Sequence, residues 1–117
     1  MDIRRVVVTG TGVVCPVGCS KEAAWPAVRD GHSGIRPIAS FDTSQFEVHI
    51  AGEVVDFDPL KYFAKRELAR LDRFVQFAVV AADQAIAEAG LDIDKENRER
   101  VGAFIGTGIG GLHEIEA

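Results

Sequence analysis

The chain has 117 residues, 47% apolar and 26% charged, with a formal net charge of −5. That length suits about one small domain, and the composition is that of a folded protein rather than a disordered one. The acidic balance argues against a general nucleic-acid binder, which would be basic. The longest unbroken apolar run, Phe77 to Ala82, is far short of the roughly 20 residues that insert across a bilayer. No secretory apolar region follows Met1-Asp2-Ile3-Arg4-Arg5.

Ile3 to Thr9 is almost continuously apolar and β-branched after its arginines, which predicts a strand buried on both faces. Gly10 and Gly12 follow, then Cys15-Pro16-Val17-Gly18. Ser20 is placed to cap a helix over 21–30, in which Pro26 predicts a kink or an early break. Asp30-Gly31 and Ser33-Gly34 are turn signals. Residues 46–55 alternate, with Phe46, Val48 and Ile50 against Glu47, His49 and Ala51, which predicts a second strand closed by Asp58-Pro59.

The strongest element is a helix over 66–89. Leu68, Leu71, Val75, Ala78 and Ala82 recur at three- and four-residue spacing, and Phe74, Phe77, Val80 and Ile86 widen the stripe. So broad an apolar surface suits burial in a larger body. Gly90 is the stop. Residues 91–100 are polar, with room for a short helical turn, and Val101 to Ile105 predicts another buried strand. Gly106-Thr107-Gly108-Ile109-Gly110-Gly111 then announces a turn, and helical character begins at Leu112. Two buried strands that each want neighbours on both sides predict that the 117 residues are part of a longer α/β protein, with an incomplete core of their own.

Several residues invite a chemical reading. Gly106, Gly108 and Gly111 match G-x-G-x-x-G between a strand and a helix, the context in which helix N-terminal amides hold a pyrophosphate. The alternative is a tight turn where backbones meet. The acidic residue that would decide lies about 20 residues further on, past Ala117. The first glycine turn fails both dinucleotide patterns, because Val14, Cys15 and Pro16 stand where glycine or alanine is needed, so it reads as structural. Cys15 and Cys19 are spaced as neither a C-x-x-C redox pair nor a zinc half-site, and read as free thiols. Cys19, just before the helix cap, is the one to weigh as a nucleophile. His32, His49 and His113 are scattered, and no metal set is visible.

The basic stretch Lys61 to Arg73 carries five positive and two negative residues. Arg66, Arg70 and Arg73 are spaced four and three apart, which predicts that they share one face of the long helix. Such a face is either plainly solvated or a docking patch for an acidic partner.

These motifs together resemble the β-ketoacyl-[acyl-carrier-protein] synthases, particularly the type II elongating condensing enzyme. The resemblance rests on Val6-Val7-Val8-Thr9-Gly10-Thr11-Gly12-Val13-Val14, Gly31-His32-Ser33-Gly34-Ile35, Phe41-Asp42, Ala51-Gly52-Glu53-Val54 and Asp56-Phe57-Asp58-Pro59. Leu71-Asp72-Arg73-Phe74 and Gly106-Thr107-Gly108-Ile109-Gly110-Gly111 continue it, in the family's order. It implies an α/β, thiolase-like fold, two similar halves in a five-layer α-β-α-β-α stack, with residues 1–117 as the beginning of the first half. It also implies a cytoplasmic homodimer without a cofactor, and a decarboxylative Claisen condensation that joins an acyl thioester to malonyl-acyl-carrier protein. The family's cysteine nucleophile, two histidines and lysine fall past Ala117, so the resemblance assigns no catalytic residue to this chain.

What carries over is Ile109, matching an isoleucine that borders the acyl pocket, and Arg66 and Arg70, matching positions that dock the acidic acyl carrier protein. Ala69 stands where some members are basic, and Pro26 where they keep a helix former. A polyketide-type ketosynthase module shares the motifs. A dinucleotide-binding domain on Gly106–Gly111, and a non-catalytic segment that dimerises or binds a carrier, are the readings from other classes.

Overall fold

The computed structural model describes residues 3–111. In chain order it contains helix α1 (Lys21–Arg29), strand β1 (Arg36–Pro37), strand β2 (Ile50–Ala51), a 3-10 turn (Pro59–Lys61), helix α2 (Lys65–Leu68), helix α3 (Arg73–Ala89) and a 3-10 turn (Arg98–Arg100). The radius of gyration is 17.5 Å, against about 13 Å for a closed domain of this length.

Helix α1 forms as its sequence dictates. The Ser20 hydroxyl accepts from the Ala23 N–H at 3.4 Å, and Glu22 lies in the positive first turn. The expected break at Pro26 does not occur, and the helix runs on to Arg29. Pro26 forfeits its own amide bond, but its carbonyl still accepts from Asp30 N–H at 2.9 Å. Ala24 is buried, whereas Trp25 and Val28 on the outer face are exposed.

The long helix expected over 66–89 is two helices. Helix α2 ends at Leu68, and Asp72 is extended (φ −61°, ψ 154°). Its carboxylate accepts from Arg73 N–H at 2.6 Å and starts α3 afresh. The apolar spacing is continuous across the break, which is why periodicity alone joins the pieces. Gly90 ends α3 in the left-handed conformation (φ 62°), as expected, and the Leu91 amide reaches back to Ile86 C=O.

The segment 10–19 lies along α3 at very close range. A Cβ on Gly10 would overlap the Ala85 carbonyl oxygen, and one on Gly12 that of Ala81. The first glycine turn is therefore a backbone-on-helix contact, as the failed dinucleotide patterns implied. Two α3 side chains secure it. Gln84 accepts from Val13 N–H at 3.0 Å and donates to Cys19 C=O at 2.8 Å. Glu88 accepts from the Thr11 amide at 2.6 Å and hydroxyl at 2.7 Å, and pairs with Lys21.

The strand expectations fare differently. Residues 3–9 and 101–105 form no ladder among the described residues. Their side chains are exposed, Val6 at 95% and Phe104 at 97%. A strand exists only by pairing, and neither segment meets an edge here. Of 46–55 only Ile50–Ala51 pairs, antiparallel to Arg36–Pro37, with Arg36 opposite Ala51 and Pro37 opposite Ile50. Phe46, Val48 and Ile50 remain exposed. The short turn expected in 91–100 is present at Arg98–Arg100, capped by Asn97.

Among the described residues the buried side chains are few: the apolar Ala24, Phe57 and Val80, and the polar Gln76, which donates to Leu71 C=O at 2.7 Å. Around Phe57 the Tyr62 ring stacks at 5.5 Å and the Phe77 ring meets it edge-on at 5.0 Å.

Candidate functional site

The basic stretch divides at the helix break. Arg66 lies on α2, Arg70 on the turn that follows it, and both are exposed without an ion pair among the described residues. Glu67, between them, is turned back to its own helix start, its carboxylate accepting from Ala64 N–H at 2.7 Å. The local positive charge is thereby left on the arginines.

Arg73 does not join them. Its guanidinium donates to Val54 C=O at 2.5 Å and lies 5.0 Å from the Phe77 ring centre and 5.7 Å from that of Phe57. Exposed itself, it ties α3 to the segment before Phe57. The three-arginine face expected from a continuous helix is thus two arginines, because Asp72 restarts the helix between Arg70 and Arg73.

The glycine turn at 106–111 sits over the start of α3. Gly110 (φ 57°) and Gly111 (φ 55°) take the left-handed conformation that side chains resist. Gly106 and Gly108 face open space. Ile109 is 74% exposed. It lines a concavity of about 390 Å³ together with Arg70, Asp72, Phe74, Val75 and Thr107. The fold thus brings Ile109 and Arg70 to one hollow, which their separation in sequence gave no reason to expect, while Arg66 does not line it. Asp72 Oδ2 would stand 3.3 Å from a Cβ on Gly111, so a carboxylate faces the turn where a pyrophosphate would want donors.

The cysteines are free. Burial, and then the Asp56 carboxylate, push the Cys19 thiol above its ordinary value, the opposite of what a nucleophile needs. Cys15 belongs to a tight turn, its N–H donating to Gly18 C=O at 2.9 Å and its C=O accepting from Gly18 N–H at 3.0 Å. Among the described residues no cluster of His, Cys, Asp and Glu has the geometry of a metal site. His113 and the helix expected from Leu112 lie outside the described residues. No described helix is long and apolar enough to cross a membrane.

The model of the beta-ketoacyl synthase N-terminal domain family matches residues 3–117. This chain belongs to that family. The chain is 47% identical over 117 residues to a 3-oxoacyl-[acyl-carrier-protein] synthase 2 of Vibrio harveyi, covering 100% of this chain and 28% of the relative. It is 47% identical over 116 residues to the protein of that name from Coxiella burnetii, covering 99% and 28%. The Synechocystis protein of that name is 43% identical over 116 residues, again covering 99% and 28%. A solved structure, the ishigamide ketosynthase/chain length factor, superposes with a TM-score of 0.69 at 43% identity, over 78% of this chain and 23% of that one. This beta-ketoacyl synthase domain segment therefore has a ketosynthase, thiolase-like fold, and spans about 28% of the length of the curated relatives it matches.

Proposed function

We propose that this chain is the opening part of the first half of a 3-oxoacyl-[acyl-carrier-protein] synthase of fatty-acid elongation. The parent enzyme is an acyltransferase. It takes an acyl group from carrier-protein phosphopantetheine onto a cysteine outside these residues. Loss of CO2 from malonyl-carrier protein then supplies the carbanion that attacks the acyl thioester. The observation that carries this is the 47% identity over the whole chain to relatives of that name. In this reading the parent is a cytoplasmic homodimer with the five-layer α-β-α-β-α architecture, and residues 3–9 and 101–105 are strands of its sheets. Their β-branched, apolar side chains support that assignment.

The role of residues 1–117 is recognition rather than bond-making. Arg66 and Arg70 meet the acidic carrier protein, and Ile109 borders the acyl chain. Exposure, and the lack of an ion pair at both arginines among the described residues, support the first. The apolar Ile109 at the hollow that Arg70 also lines supports the second. In the intact synthase, the double variant Arg66→Glu/Arg70→Glu should raise KM for the acyl carrier protein about tenfold and leave a small acyl thioester within about twofold. Equal effects on both substrates would overturn the docking role. A second reading, a polyketide-type ketosynthase module, is favoured by the 43% identity to the ishigamide ketosynthase/chain length factor. The products formed by the intact enzyme separate the two.

A further inference from the structure

The turn that carries Ile109 lies against the start of α3. A Cβ on Gly110 would stand 3.0 Å from Thr107 Oγ1 within the turn and 3.1 Å from Phe74 Cζ, and one on Gly111 3.3 Å from Asp72 Oδ2 and 3.6 Å from Phe74 Cε1, so Phe74 is the one ring that both glycines meet. The Gly110 backbone therefore lies against the ring, in a left-handed conformation that a residue with a side chain would resist. Phe74 is the second residue of α3, just inside the Asp72 cap, and its backbone follows Arg73, which is tied to Val54 C=O; the ring is 37% exposed where the turn does not cover it. Ile109 immediately precedes Gly110, and both it and Phe74 line the same hollow. Where the ring stops the backbone at 110 decides how far the side chain at 109 projects.

We propose that Phe74 is a positioning residue for acyl-chain length: its ring is the stop against which the Gly110–Gly111 backbone sets the depth of Ile109. The inference rests on the reading of Ile109 as an acyl-pocket residue. Phe74 touches no substrate in it and acts only through the turn.

A cycle of variants in the intact synthase tests this, read as the ratio of kcat/KM for a long acyl substrate to that for a short one. Ile109→Phe should lower the ratio about tenfold by filling the pocket. Adding Phe74→Ala should restore it about fivefold, because the vacated ring volume lets the turn retreat. A ring that only packs the helix would depress both substrates alike and leave the ratio unmoved. Phe74→Leu, which keeps most of the volume, should restore little. If Phe74→Ala does not fold, Phe74→Val in the same cycle must restore more than Phe74→Leu, and equal ratios overturn the proposal. A lowered ratio in Ile109→Phe with no recovery in the double variant overturns the role of Phe74 and leaves that of Ile109 standing. An unchanged ratio in Ile109→Phe overturns the reading of Ile109 and this inference with it.

Discussion

Residues 10–19 and residues 101–105 are both short, apolar-rich and glycine-containing, yet one is held and the other is bare. The first has α3 beneath it, with Gln84 and Glu88 taking its backbone groups and Ala81 and Ala85 admitting its glycines. The second has no partner among the described residues and exposes Val101, Phe104 and Ile105. Composition does not separate them. What differs is whether a complementary surface lies within reach, and a helix can be built locally where a sheet cannot.

The sharpest way to break that contrast is to spoil the held region. Gly12→Val puts a branched side chain into the Ala81 carbonyl, and should cost about 3 kcal/mol or more, since neither backbone can yield. Urea unfolding of the intact synthase would show it as a lower midpoint, and a loss below about 1 kcal/mol would mean the approach is not tight.

The bare region predicts the opposite behaviour in two settings. In the 117-residue chain, Phe104→Ser should change stability by less than about 0.5 kcal/mol, because the ring is already in solvent. In the intact synthase the same change should cost about 3 kcal/mol if residues 101–105 are a buried strand there. Amide hydrogen exchange should likewise find 3–9 and 101–105 unprotected in the short chain and protected in the long one. Equal protection in both would remove the difference between the regions.

The smallest effect concerns the loop between β1 and β2. The Glu53 carboxylate accepts from Ala39 N–H at 2.9 Å and Ser40 N–H at 3.1 Å, and the Ser40 side chain first, then these amides, hold its pKa below the ordinary carboxylate value. A depressed folded-state pKa gives stability that is present above the unfolded value and is lost as pH falls through the folded one. The protection of the Ala39 and Ser40 amides, taken relative to their intrinsic exchange rate at each pH, should therefore fall as pH drops below the ordinary carboxylate range. Glu53→Gln should flatten that dependence, and an unchanged profile would show that Glu53 does not cap the loop.

How much of this was legible depends on range. The Ser20 cap of α1 and the Gly90 stop of α3 were plain in sequence, because each acts within a turn of itself. The break at Asp72 was signalled only by a good capping residue inside an unbroken apolar stripe, and the stripe was the louder signal. The Gly10 and Gly12 contacts could have been foreseen from Ala81, Ala85 and Ala89 at four-residue spacing, a row of small residues that matches two glycines two apart. Pairing of 36–37 with 50–51 was hidden by Pro37, which argues against a strand. For the site, Ile109, Arg66 and Arg70 were reached through family resemblance. The reach of Arg73 to Val54 and the place of Phe74 against Gly110 depend on contacts between distant residues, which no local pattern encodes.

Gln84 works as a gauge. Its amide oxygen and nitrogen sit a fixed distance apart, and they grip Val13 and Cys19 at once. The chain between those two residues must leave and return to the same side chain, through the tight turn at Cys15–Gly18. Insertions or deletions there would release one grip or the other, so the loop length is set by α3 rather than by the loop. A tag or a cleavage site belongs instead in the exposed stretch between β1 and β2, where no helix keeps count.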